Sequence, residues 1–427
     1  MRKMCKFRLK NSVQNIIIVC LLLSAAFLFL HTDLIRFDTL GHVISSVSPS
    51  ANLADTAKTN VQMPLHIVSR TDTLCQAWLN ETTSGEVFED FGPPLLEALG
   101  SATNAVSITE DEFCNALEQN GVYYDFTTTF PLPLFINLIS VQNNAPQSFA
   151  RAAFLSSSSG QTVLLYVWDA EHHRYIRWNT TVTSDSLSRA AAHHTGIPAE
   201  FAFLSGEAYS ALSPYTLIPS ERIVMPELVA APSLQKHIQD DILTHLEFNV
   251  HSNSRYPESN GTEVILQGSR ILRILPDGTI IYSGNMDDEI SFLTVEHSGE
   301  TASFRECVDA AWRVITTLSD GTTGDAAPYL LSARTEENGR TEILFGYAIN
   351  GAPIAFPDDY AAKVEINGDT IVNFTLRLRS YTTSEKASTL LPALQAAAAV
   401  QSTSQQDLFP GYYDDGNAAL PPCWLRK

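Results

Sequence analysis

Within the 427 residues of this chain, the clearest arrangement that could support catalysis is Ser233-Leu234-Gln235-Lys236. It fits the S-x-x-K pattern, in which a lysine one helical turn away activates a serine nucleophile for acyl transfer. That chemistry also needs S-D-N and K-T-G elements, and the sequence contains neither. The flanking stretch from Pro232 to Asp241 reads as an ordinary linker helix.

Two histidine pairs, His172-His173 and His193-His194, invite a metal reading. Adjacent residues on a strand point to opposite faces, and on a helix they diverge by about 100 degrees, so neither pair chelates as a unit. No His-x-x-x-His supplies the missing convergence. The acidic runs Asp287-Asp288-Glu289, Asp358-Asp359 and Asp414-Asp415 match no D-x-D-x-D-G calcium loop and read as solvated turns. Of the six cysteines, Cys5 lies in a basic leader and Cys20 in an apolar run. Cys75, Cys114, Cys307 and Cys423 show no C-x-x-C spacing; they could pair in an oxidising compartment or sit singly in cores. Four Asn-x-Ser/Thr sequons, at Asn80, Asn179, Asn260 and Asn373, are treated as incidental in a Thr-rich chain. No G-x-S-x-G, P-loop or G-x-G-x-x-G occurs. The expectation is therefore no catalytic residue, no metal, no cofactor and no enzyme activity.

Net charge is -20, although Arg2, Lys3, Lys6, Arg8 and Lys10 crowd the first ten residues. So acidic a body repels phosphate backbones, which argues against nucleic acid as a partner. The basic leader, 1–12, precedes an uncharged run containing Ile16, Ile17, Ile18, Val19, Leu21, Leu22, Leu23, Phe27, Leu28 and Leu30. With its flanks at 13–35 it reaches the roughly 20 residues that a membrane-spanning helix needs. Positive charge on the N-terminal flank alone predicts a cytoplasmic N-terminus and an exported C-terminal bulk. A cleavable signal peptide competes with this, but no small-x-small site follows at a suitable distance. An uncleaved single-pass anchor is the expectation. Ser24, Ala25 and Ala26 are its one small-residue stretch and the candidate helix–helix contact. Residues 36–62 read as a polar linker.

The exported part reads as α+β, with a boundary drawn by Pro214, Pro219, Pro226 and Pro232. This gives a domain at 63–219, a linker at 220–242 and a second domain at 243–427. In the first, Pro93-Pro94 is read as a helix start, Thr109 to Glu112 as a capping box, and 122–126 as a strand. Two aromatic-rich runs, Thr162–Trp168 and Tyr175–Trp178, flank a loop from Asp169 to Arg174. Residues 184–194 read as a helix closed by Gly196. In the second domain, Pro276-Asp277-Gly278 marks a hairpin. Ser303 to Glu306 caps a helix whose stripe is Phe304, Cys307, Val308, Ala311, Trp312 and Ile315. Asn338-Gly339 and Asn367-Gly368 separate further strands, the last running over 370–379. Pro392 opens a second helix. The order predicts an antiparallel sheet with helices packed on one face.

Three stretches resemble the YycH/YycI family: Phe345 to Ile354 with its Tyr347…Gly351-Ala352-Pro353 spacing, the hairpin Arg273 to Tyr282, and the ending from Gly411-Tyr412-Tyr413 to Leu420-Pro421-Pro422-Cys423-Trp424. The resemblance covers about 243–427 and the basic-leader-plus-anchor layout. Length and the additional N-terminal domain favour the H branch. It implies PepSY-like units, each a helix on an antiparallel sheet. It also implies an accessory role toward a WalK-type sensor histidine kinase of a two-component system, exerted partly through transmembrane helices. A sister single-pass regulator is a further implied partner. The family supplies no catalytic residues to carry over. An inhibitor or chaperone of an extracellular peptidase is the alternative expectation, and a cell-wall hydrolase of unrecognised type the third.

Overall fold

The structure, a computed structural model, describes residues 64–427 apart from 73, 80–85, 133, 135–148, 158–161, 251–253, 288–289, 298 and 401–404. The expected leader, anchor and polar linker, with Ser24, Ala25 and Ala26, lie outside the described residues. Among the described residues no helix is long and apolar enough to cross a membrane.

The described strands form three sheets. The first is built from β1 (His66–Arg70), β2 (Cys75–Trp78), β3 (Thr103–Ile108), β4 (Gly121–Pro131), β5 (Phe149–Ser156), β6 (Thr162–Asp169), β7 (Arg174–Thr183), β8 (Ile197–Phe201) and β9 (Leu217–Pro219). Its order is β3-β7-β6-β5-β4-β1-β2-β8-β9, and every neighbouring pair is antiparallel. Helix α1 (Glu86–Ser101) lies against β7. Val87, Phe88, Phe91, Leu95 and Leu99 recur at helical spacing on its buried face and join Tyr124, Val163 and Trp178 in one apolar cluster. Each such side chain contributes roughly 1.5–3 kcal/mol by leaving water. Pro93 and Pro94 sit in mid-helix rather than at its start. Burial of Phe88 and Phe91 ahead of them sustains the helix despite two rungs missing from its hydrogen-bond ladder. Helix α2 (Glu110–Leu117) has the predicted capping box, with Glu112 N donating to Thr109 Oγ1 at 3.2 Å and Thr109 N donating to Glu112 Oε2 at 2.8 Å. Helix α3 (Ser184–His193) follows β7.

Residues 220–242, expected as a linker, contain β10 (Val224–Pro232) and most of helix α4 (Lys236–His245). β10 is the central strand of a three-stranded sheet, between the strands Arg379–Thr389 and Ala419–Leu420. Pro226 sits at a register shift and Pro232 at the strand end, positions where a missing N–H does least harm. The prolines punctuate a strand instead of parting two domains: a single apolar cluster continues from Val68 and Tyr123 through Leu228 to Phe345 and Tyr412.

The third sheet contains β11 (Arg255–Pro257), β12 (Glu263–Gln267), β13 (Arg270–Ile274), β14 (Thr279–Ser283), β15 (Ala327–Thr335), β16 (Arg340–Ile349), β17 (Ala352–Ala355), β18 (Ala362–Asn367), β19 (Thr370–Arg377), β21 (Leu408–Tyr413) and β23 (Pro422–Arg426). The predicted hairpin turns at Gly278, Gly339 and Gly368 are present as β13–β14, β15–β16 and β18–β19. One pair, β17 with β21, is parallel, an exception to the antiparallel expectation. Helix α5 (Phe304–Ser319) carries its capping box and packs Cys307, Val308, Ala311, Val314 and Ile315 toward β15, β16 and β18. The strand predicted over 370–379 ends at Arg377; buried Leu378 makes the corner and β20 (Arg379–Thr389) crosses to β10, while β22 (Ala419–Leu420) flanks β10 on the other side. Helix α6 (Ala393–Ala398) starts after Pro392, as predicted, and packs in one cluster with Leu408 of the third sheet and with Ala202, Leu212 and Ile218. The fold is thus mixed α+β with antiparallel sheets and few helices.

Candidate functional site

The segments that meet where β4 faces β15 enclose a cleft of about 670 Å³. That volume lies in the range of small-ligand sites, roughly 300–1,000 Å³. Thr127 comes from β4, Tyr329 and Ser332 from β15, Ile354 and Phe356 from β17 and its exit, and Phe409, Arg426 and Lys427 from the last strands. Tyr329 lies flat on its partner strand because position 346 is glycine. A Cβ there would fall 2.6 Å from two ring carbons, closer than real contacts allow. Burial pushes the Tyr329 phenol above its ordinary range.

Thr127 has a φ of +59°, a region that β-branched residues avoid. The strain sits at a register shift in β4 between Asp125 and Phe130. Two contacts hold it there: Thr127 N donates to Asp125 Oδ1 at 2.7 Å, and Lys427 Nζ donates to the Thr127 carbonyl at 3.3 Å. Lys427 as a residue remains exposed, but its ammonium end sits on this buried carbonyl. Desolvation there, helped by Arg151 and opposed by Asp407, lowers its pKa to about 8.

Behind the cleft is a charged joint. Arg151, on β5 and 6 % exposed, pairs with Asp125 on β4 and with Asp407 at 2.9 Å, and its guanidinium lies over the Trp168 ring. His66 on β1 stands 3.5 Å from Asp125 yet is neutral. Burial, then the Arg151 charge, lowers its pKa to about 3, against a smaller opposing pull from Asp407. Its Nε2, with Tyr123 Oη and Thr216 Oγ1, is buried without a hydrogen-bond partner among the described residues.

Of the serine–lysine, histidine, acidic and cysteine residues singled out in the sequence, Asp359 alone among the described residues lines the cleft. Ser233 precedes α4, its N–H donating to Leu378 O at 2.9 Å, and Lys236 is exposed, so the S-x-x-K residues do not share a helical turn. His193 and His194 converge after all: Nδ1 of one and Nε2 of the other stand 3.0 and 2.9 Å from Asp90 Oδ2. The chain turns extended at His194, which defeats the helical divergence. No group of three potential ligands suited to a metal occurs among the described residues. Asp169 is fully buried, not a loop tip. Burial opposes its ionisation, but Arg174 and His172 as donors hold its carboxyl below the ordinary value. Asp414, expected in a solvated turn, is buried and accepts Tyr381 Oη at 2.7 Å beside Arg379 at 2.8 Å. Asp358 pairs with Arg377, and Asp359 lines the cleft. Cys75, Cys114, Cys307 and Cys423 are free thiols.

Sequence reasoning missed the cleft because its lining joins Thr127, the strands between 329 and 360, and the last strands from 406 to 427. Gly346, in the apolar half of its strand, was the available signal, since a strand glycine marks close approach.

No family model matches the chain, and no curated protein does. Among solved structures it is similar to the crystal structure of YycH from Bacillus subtilis, at a TM-score of 0.58 and 11% identity, over 87% of this chain and 94% of that one. The likeness establishes a YycH-like fold.

Proposed function

We propose that the chain is a membrane-anchored, extracytoplasmic accessory protein that regulates an envelope-sensing histidine kinase of a two-component system by protein–protein contact. The observation that carries this reading is the YycH-like fold, which extends over 87% of this chain. Its sequence basis is the leader-and-anchor layout with the motifs at 273–282 and 345–354, which resemble the YycH/YycI family. The apolar run at 13–35 holds the body outside the cell, and the face at Ser24, Ala25 and Ala26 packs on a kinase helix, where small residues allow close approach. A sister single-pass regulator joins the same assembly. The body acts by contact and carries out no bond chemistry.

The test is crosslinking of the full chain in native membranes followed by identification of what is recovered. A sensor kinase is expected, and Ala25→Ile reduces its recovery several-fold. Unchanged recovery removes the helix contact; recovery of an extracellular peptidase in place of any kinase puts a peptidase inhibitor or chaperone in its stead.

A further inference from the structure

Within the charged joint lies a void of about 10 Å³, whose lining includes His66, Asp125, Arg151, Thr216 and Asp407. Two of these residues carry a buried polar atom with no hydrogen-bond partner among the described residues, His66 Nε2 and Thr216 Oγ1. The backbone fixes both residues. His66 is the cross-strand partner of Asp125 where β1 pairs with β4. Thr216 N donates to Ser213 O at 3.0 Å, and the Thr216 carbonyl accepts from Ala202 N at 2.8 Å.

The chemistry of the two atoms narrows what fits between them. His66 is neutral, so its ring carries one N–H. The Asp125 carboxylate, 3.5 Å from Nδ1, draws that proton to Nδ1. Nε2 is then a bare acceptor and needs a donor. The Thr216 hydroxyl can donate and accept, yet the two side chains make no hydrogen bond to each other. The void has room for one non-hydrogen atom, since 10 Å³ is about the least that a single water requires. An anion there would face the Asp125 and Asp407 carboxylates and the Nε2 lone pair, all of the wrong sign. A metal ion would face the Arg151 guanidinium, and no group of three ligands suited to one occurs among the described residues. A neutral molecule of this size that both donates and accepts is water.

We propose that this void binds one buried water, which donates to His66 Nε2 and bonds the Thr216 hydroxyl, and so ties β1 to the turn before β9 beside the Arg151–Asp407 pair. Two polar partners are the fewest that hold a buried water in place. The site is independent of the kinase reading.

The sign of one substitution tests it. A buried hydroxyl without a partner destabilises the fold, so an isosteric methyl in its place stabilises. A hydroxyl bonded to a water that also serves His66 does the reverse, because the methyl removes the anchor of that water. The full chain in lipid nanodiscs is unfolded in urea and followed by tryptophan fluorescence. Thr216→Val lowers the midpoint at an unchanged slope, and the unfolding constant in water rises about fivefold, the usual worth of one net hydrogen bond. In a His66→Leu background, where the water has lost its acceptor, Thr216→Val lowers the midpoint no further. A crystal structure of the full chain that resolves ordered solvent shows a peak within hydrogen-bonding distance of both atoms. The proposal is overturned if Thr216→Val raises the midpoint or leaves it unchanged, if its effect is the same with and without His66, or if no solvent peak lies at the site. Where His66→Leu fails to fold, Thr216→Val and the solvent peak decide the matter.

Discussion

The guanidinium of Arg151 and the carboxylate of Asp407, 256 positions apart in sequence, meet at 2.9 Å inside the protein. The contact ties the first sheet to the segment that leads into β21. Arg151→Met leaves buried Asp125 and half-buried Asp407 without their cation, and breaking a buried pair costs about 3–5 kcal/mol. Urea unfolding should show that loss in the midpoint at an unchanged slope. A loss under 1 kcal/mol means that water reaches the joint.

The same joint makes stability depend on acidity through His66. Its pKa falls from the ordinary 6.5 to about 3 in the folded protein. Between those values the unfolded chain takes up a proton that the folded one refuses. Stability is therefore full above 6.5 and declines as pH falls toward 3, by at most about 5 kcal/mol at roughly 1.4 per pH unit. The groups facing His66 are Asp125, Arg151, Asp407 and the Phe409 ring. His66→Gln should flatten the difference in unfolding free energy between pH 7 and pH 4 relative to the parent. Parallel pH profiles would show that the ring is already solvated.

The legible parts of the fold were those set by neighbours in sequence. Both capping boxes, the turns at Gly278, Gly339 and Gly368, and the stripe from Cys307 to Ile315 are local patterns, and the structure reproduces each. What failed depended on partners distant in the chain. Pro226 and Pro232 look like part of a boundary until β20 arrives from position 379 to pair with them, and Pro219 until β8 does. Asp414 looks solvated until Arg379 and Tyr381 meet it. The cleft joins Thr127 of β4 to β15, β16 and β17 and to β21 and β23, and the first of these lies about 200 positions before the rest.

The capping box of α5 offers a local control. Ser303 Oγ accepts from Glu306 N at 3.3 Å, and Ser303 N donates to Glu306 Oε2 at 2.8 Å. Ser303→Ala should cost about 1 kcal/mol, the usual worth of a hydroxyl N-cap. Thermal unfolding should register this as a lowered midpoint, and an unchanged midpoint would mean that water serves the helix N-terminus as well as the hydroxyl does.

Gly346 tests the cleft wall itself. A methyl group at this position meets the Tyr329 ring at 2.6 Å and has no room in the pairing of β15 with β16. Gly346→Ala must therefore lift the ring off the strand, toward the cleft. Overpacking of this kind costs about 1–3 kcal/mol, and the displaced ring occupies space that a ligand needs. Paired with Tyr329→Leu, the same substitution should recover most of the stability, since the shorter side chain clears the methyl. If Gly346→Ala alone proves as stable as the parent, the close ring–strand approach is not what shapes this wall, and Tyr329 must be free to swing away without cost.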